Sequence, residues 1–124
     1  MAKGDDIEEK LISFAVRVLT MCERMPKSAE GEHIASQLLR SGTAGAPNYA
    51  EARAAESSMD FIHKLGVVLK ELNESRVWLD MILKRGLYDA QEARLAHEEC
   101  VTLSKIIAVS RRTAAENAGR IKRS

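Results

Sequence analysis

A chain of 124 residues, 45% hydrophobic and 30% charged, is long enough for one domain with a modest core and too apolar to be disordered. Its formal charge of +1 gives no overall basic signal for nucleic acid, and no apolar run approaches the ~20 residues that span a membrane. Two distant cysteines do not make a disulfide framework, and the charged start MAKGDDIEEK lacks a secretory signal core, so a soluble, cytoplasmic protein is expected.

Asp5 or Asp6 can cap a first helix running to about Met25. Its seam, Ile7, Leu11, Phe14, Val18, Met21 and Met25, is spaced by four and three. A second stripe, Ile12, Ala15, Leu19 and Cys22, widens the apolar face beyond what one partner needs. Such a helix is either central in its bundle or also touches another subunit. Pro26 ends it, because the residue before a proline leaves helical geometry.

Ser28 can cap a second helix with Glu30 and Glu32 in its first turn. Its seam is Ile34, Leu38, Ser41, Gly45, Asn48, Ala52 and Ala55. The middle, SGTAGAP, is made of small residues, and Pro47 removes a hydrogen bond. The seam stays in register through Ala55, which favours one helix kinked near Thr43–Pro47 over a loop at 41–47. The small side chains would let a neighbouring helix come close.

The third helix dominates the chain. From Ser57 to Gly86 it has no proline, and Phe61, Leu65, Val68, Leu72, Ser75, Leu79 and Ile82 alternate by four and three without a slip. Ser57 with Asp60 is the start signal, and Lys84, Arg85 and Gly86 the stop. Asp89-Ala-Gln-Glu92 is a capping box for a fourth helix with the seam Ala93, Ala96, Cys100, Leu103, Ile107, Ser110 and Ala114. That helix should fray near Asn117–Gly119, leaving a basic tail at 119–124. The expected fold is all-α, an up-down-up-down four-helix bundle with helices at about 5–25, 29–55, 58–85 and 89–118.

Catalytic and metal signals are thin. Glu30-x-x-His33 and Asp60-x-x-His63 resemble half of a di-iron bundle motif. The fourth helix, however, offers His97 with Arg94 where a carboxylate is needed. No serine sits in a nucleophile turn, and Gly42 and Gly45 lack the context of a phosphate loop. No enzyme activity, metal or cofactor is expected.

Polar stripes say more. Arg40, Asn48 and Glu51 on the second helix and Lys70, Glu71 and Glu74 on the third could meet. Either they form a solvated face with pairs such as Lys70–Glu74, or a buried or inter-subunit network that fixes register and assembly. At the end of the chain, Arg111, Arg112, Arg120, Lys122 and Arg123 stand against one acid, Glu116. Basic residues suit a helix C-terminus, and repeated around an oligomer they would also bind phosphate.

One stretch carries a resemblance. Gln37 and Arg40 in SQLLRS, the block PNYAEA from Pro47 to Ala52, Ser57 with Asp60-Phe61, and LKELNESRVWL from Leu69 to Leu79 resemble the small bacterial four helix bundle protein family. It includes proteins encoded in intervening sequences of 23S ribosomal RNA genes. Where many members end that block in glycines, this chain has Ala52-Arg53-Ala54. The resemblance implies a ring-like homopentamer and a second helix that runs through Pro47. Distant relatives include a pentameric accessory protein of diversity-generating retroelements that binds nucleic acid and a reverse transcriptase. The expectation is thus a non-enzymatic homo-oligomeric binding or scaffold module. Its partner would be RNA or a nucleic-acid-binding protein, with a purely structural or protein-interaction role as the alternative.

Overall fold

Capping chemistry sets most of the helix boundaries. The structure is a computed structural model that describes residues 2 and 4–123, with the backbone alone of 121–123. Four helices lie among the described residues: α1 (Asp5–Arg24), α2 (Ala29–Arg53), α3 (Ser58–Arg85) and α4 (Ala90–Arg123). The Ser28 side chain accepts from Gly31 N–H at 3.1 Å and opens α2. Ser57 does the same for α3 through Asp60 N–H at 3.1 Å, and Asp89 for α4 through Glu92 N–H at 2.9 Å. Each cap occupies an amide that no preceding turn can reach. Met25 is extended (ψ 151°) ahead of Pro26, as the proline requires. Gly86 closes α3 in the left-handed region (φ 68°), where a side chain would be strained.

Two boundaries differ from expectation. Neither Asp5 nor Asp6 caps α1; Gly4 stands at the cap with φ 94° and no side-chain bond. Asp5 lies within the first turn, and its carboxylate binds Arg53 instead. Nor does α4 stop near Asn117–Gly119, for it stays helical to Arg123. Ala114, Ala115 and Ala118 are strong helix formers, and one glycine costs at most about 1 kcal/mol there. The basic segment is therefore part of a 34-residue helix.

α2 runs unbroken through Pro47. Pro47 leaves Thr43 O without its amide partner one turn on, and beside it Asn48 donates its Nδ2 to Ala44 O at 2.8 Å. Thr43 Oγ1 likewise donates to Leu39 O at 2.6 Å. Asn48 thereby leaves its seam, and Tyr49 takes the buried position at 5% exposure.

The seams meet in one core. Leu11, Phe14, Val18 and Met21 face Leu38, Leu65, Val68, Leu72, Leu79, Ile82, Cys100 and Ile107, all essentially buried. Cross-helix contacts run in opposite chain order: Arg53 reaches Asp5, Arg85 reaches Glu30, and Arg111 reaches Ile62. α2 and α3 each pack on two neighbours over long stretches, whereas α1 leans on α2 and touches α4 only lightly. α1 is thus not the central helix, and Ile12 (40%) and Leu19 (50%) on its second stripe remain exposed.

Close approach of α1 to α2 depends on the small-residue stretch. A Cβ on Gly42 would lie 2.8 Å from Val18 Cγ1, and one on Gly45 3.3 Å from Leu11 Cδ2.

Candidate interaction faces

The polar residues of α2 and α3 meet in part. Arg40 Nη1 donates to Glu71 Oε2 at 3.2 Å, and its Nη2 pairs with Glu74. Glu74 also accepts from Trp78 Nε1 at 3.2 Å. The Arg40 guanidinium, then the indole, holds the Glu74 carboxyl below its ordinary range. Beneath this layer Ser41 and Ser75 share a buried hydrogen bond of 2.8 Å, and Ser75 Oγ lies 2.9 Å from Glu71 O. About two turns from Glu71 toward the start of α3, Lys64 Nζ reaches Glu51 at 3.3 Å. Asn48 stays on its own helix, and Lys70 is exposed, attracting Glu74 only at longer range. The Arg40 side chain is half exposed in the single chain, while Glu71 is largely covered.

Other seams carry latches that were harder to anticipate. Arg53 at the end of α2 holds Asp5 at 2.8 Å and Glu8 at 3.2 Å on α1. Arg17 on α1 holds Glu99 at 2.9 Å and Glu92 at 3.3 Å on α4. Within α3, Asp80 pairs with Arg76 one turn back at 2.9 Å, and it faces His97 on α4. His97 Nε2 sits 2.9 Å from the other Asp80 oxygen, near enough to pair when protonated but not aligned as a hydrogen bond. Neither Arg17 nor Arg53 stood out in the sequence, because their partners lie on other helices.

The candidate metal motifs are taken up in packing. His33 meets Trp78 edge-on at 6.0 Å, Glu30 pairs with Arg85 at 3.4 Å, and His63 is exposed. No cluster of three or more His, Cys, Asp or Glu side chains suited to a metal occurs among the described residues. Both thiols are free and donate to carbonyls, Cys22 to Ala35 O at 3.3 Å and Cys100 to Leu72 O at 3.0 Å. Burial pushes the Cys22 thiol up to about 11 and the Cys100 thiol up to about 12, so neither is a poised nucleophile.

On the basic end of α4, Arg112 and Arg120 are exposed. Arg111 folds back, donating from Nε to Ile62 O at 3.2 Å and lying over Gly66. The side chains of Lys122 and Arg123 lie outside the described residues.

Residues 5–109 match the 23S rRNA-intervening sequence protein family. The chain belongs to this family. A crystal structure of a protein of unknown function from the S23 ribosomal protein family of Bacteroides thetaiotaomicron VPI-5482 is similar, with 29% identity and a TM-score of 0.76. That likeness covers 82% of this chain and 94% of the relative. No curated protein matches. The four-helix, all-α fold of this 23S rRNA-intervening sequence protein is thus shared with a solved relative. The basic residues from Arg111 onward lie beyond the family match. No helix among the described residues is long and apolar enough to cross a membrane.

Proposed function

We propose that this 23S rRNA-intervening sequence protein is a non-enzymatic, homo-oligomeric binding or scaffold module, pentameric by resemblance, whose partner is RNA or a nucleic-acid-binding protein. The supporting observation is the outer surface of α4. The helix carries a basic segment from Arg111 to Arg123, with Arg120 exposed on it. Copies of that segment, arrayed by assembly, concentrate positive charge that a chain of formal charge +1 does not provide by itself. Exposed apolar side chains on α1, Ile12, Val16 and Leu19, are surface for that assembly.

Two measurements test this reading. Sedimentation at micromolar concentration should return a multiple of the chain mass; a monomer overturns the oligomer. Titrating a labelled single-stranded RNA at two salt concentrations should give binding that weakens steeply with salt. Each phosphate contact contributes about 0.7 to the logarithmic slope, and Arg120→Ala with Lys122→Ala and Arg123→Ala should flatten it. Absence of binding at low salt removes RNA from the proposal.

A further inference from the structure

Two outward faces of this chain complement each other. On α1, Glu9, Ile12, Val16, Leu19 and Glu23 follow in steps of three and four and so form one stripe. It points away from the buried seam of Leu11, Phe14, Val18 and Met21. Its centre is apolar and open, with Ile12, Val16 and Leu19 at 40%, 54% and 50% exposure. Its two ends are exposed glutamates.

On a different face, α3 and α4 leave a trough. One part, about 440 Å³, is lined by Ile62, Leu69, Ala108, Arg111, Arg112 and Ala115. The next, about 520 Å³, shares Ile62 and Ala115 and runs on past Met59 to Ala118 and Gly119. The floor is apolar, and α4 lends it mostly small side chains, so a third helix can come close. From Leu69 to Ser57 the trough is about 18 Å long, and the α1 stripe from Glu9 to Glu23 about 21 Å, at 1.5 Å per residue. The α4 rim carries Lys105 and Arg112 and, further on, Glu116, all exposed. Glu9, Glu23, Lys105 and Arg112 have no ion-pair partner among the described residues, although α1–α2, α1–α4 and α2–α3 each have an ionic latch of their own.

We propose that α1 of one copy lies in the α3–α4 trough of another, with Ile12, Val16 and Leu19 on the floor and Glu9 and Glu23 against the basic rim. Stripe and trough are different surfaces, so the contact is head-to-tail, and a sequence of such contacts closes into a ring or runs on as a filament. This rests on the self-assembly reading above and names the two faces that carry it.

Charge exchange tests the pairing, with mass in solution read in the absence of RNA. One variant carries Glu9→Lys and Glu23→Lys; the other carries Lys105→Glu and Arg112→Glu. All four positions are exposed, and thermal unfolding by circular dichroism checks that both variants fold. Each alone places like charges across the contact and should assemble roughly tenfold more weakly than the natural chain. A chain carrying all four exchanges should assemble again, because its basic stripe now meets the acidic trough of the next copy at every contact, whatever the number of copies in the ring. Natural-chain assembly that neither variant weakens overturns the pairing and leaves self-assembly standing. Weakening without recovery in the fourfold variant overturns it too. A natural chain that remains monomeric overturns both this inference and the reading it rests on.

Discussion

At the scale of residues, glycine and cysteine positions show how tightly the helices are set. Gly42 faces Val18, whose two γ-carbons would stand 2.8 and 2.9 Å from an added Cβ. Val18 is fully buried and, being β-branched, has little rotamer freedom to give way. Gly42→Ala gains up to about 1 kcal/mol of helix propensity but overpacks a filled seam, which costs about 1–3 kcal/mol. A net loss of about 1 kcal/mol is expected from urea unfolding. A gain would mean that α1 can withdraw from α2 without penalty. The sequence marked this stretch as a close-approach surface through its small residues. It did not identify Val18 as the neighbour, because which turn of α1 opposes Gly42 depends on the angle between two helices. The thiols present the same limit. Both fall on apolar stripes in the sequence, yet Cys100 is buried and Cys22 only half-buried, since Cys22 faces the α1–α2 edge rather than the core centre.

At the scale of elements, Pro47 and Asn48 act as a unit. Proline leaves Thr43 O without its usual amide partner one turn on, and Asn48 and Thr43 add side-chain bonds to neighbouring carbonyls. The ring of Pro47 is exposed, so it contributes no core packing. Pro47→Ala restores an amide donor. Against the ~3 kcal/mol that proline costs inside a helix, the variant gives back about 0.4–1 kcal/mol of unfolded-state entropy and meets a helix already adapted to proline. A stability gain of about 1–2 kcal/mol is expected in chemical unfolding. A loss would show that the α2–α3 contact uses the shape proline imposes. α3 has no such interruption. Its seam is buried from Leu65 to Ile82, and its start and stop signals are where the residue types put them. α4 ran past its expected end because a single glycine followed by residues of good helix propensity is a weak stop.

At the scale of the whole molecule, ionic latches join the helices and make the bundle sensitive to acid. Arg53 holds the Asp5 carboxyl below its ordinary value of 3.8, and Arg40 holds Glu74 below 4.5. Both folded-state values are depressed, so the unfolded chain takes up protons first as pH falls. The stabilisation is complete above about pH 5 and is lost progressively as pH drops through the folded-state values. These groups are largely solvated, so the effect is modest and weakens with salt. The melting temperature should fall on acidification below pH 5. A chain carrying Arg40→Gln and Arg53→Gln should begin lower and fall less steeply over the same range. Parallel curves would show that other carboxylates carry the acid sensitivity.

Periodicity and capping, both local, determined that this chain makes four helices and which side of each enters the core. Those signals need only residue types at spacings of three and four, and they are strongest in α3. Pairing across helices was legible only where consecutive helices are joined by short turns, as for Arg40 with Glu71 and Glu74. Tertiary structure alone decided that Arg17 reaches α4, that Arg53 clamps the start of α1, that Asn48 bonds back to its own helix, and that α1 lies at the edge of the bundle. Each depends on how far one helix is rotated and shifted against another. That rotation is set by the sum of many small packing contacts, and no single spacing in the sequence encodes it.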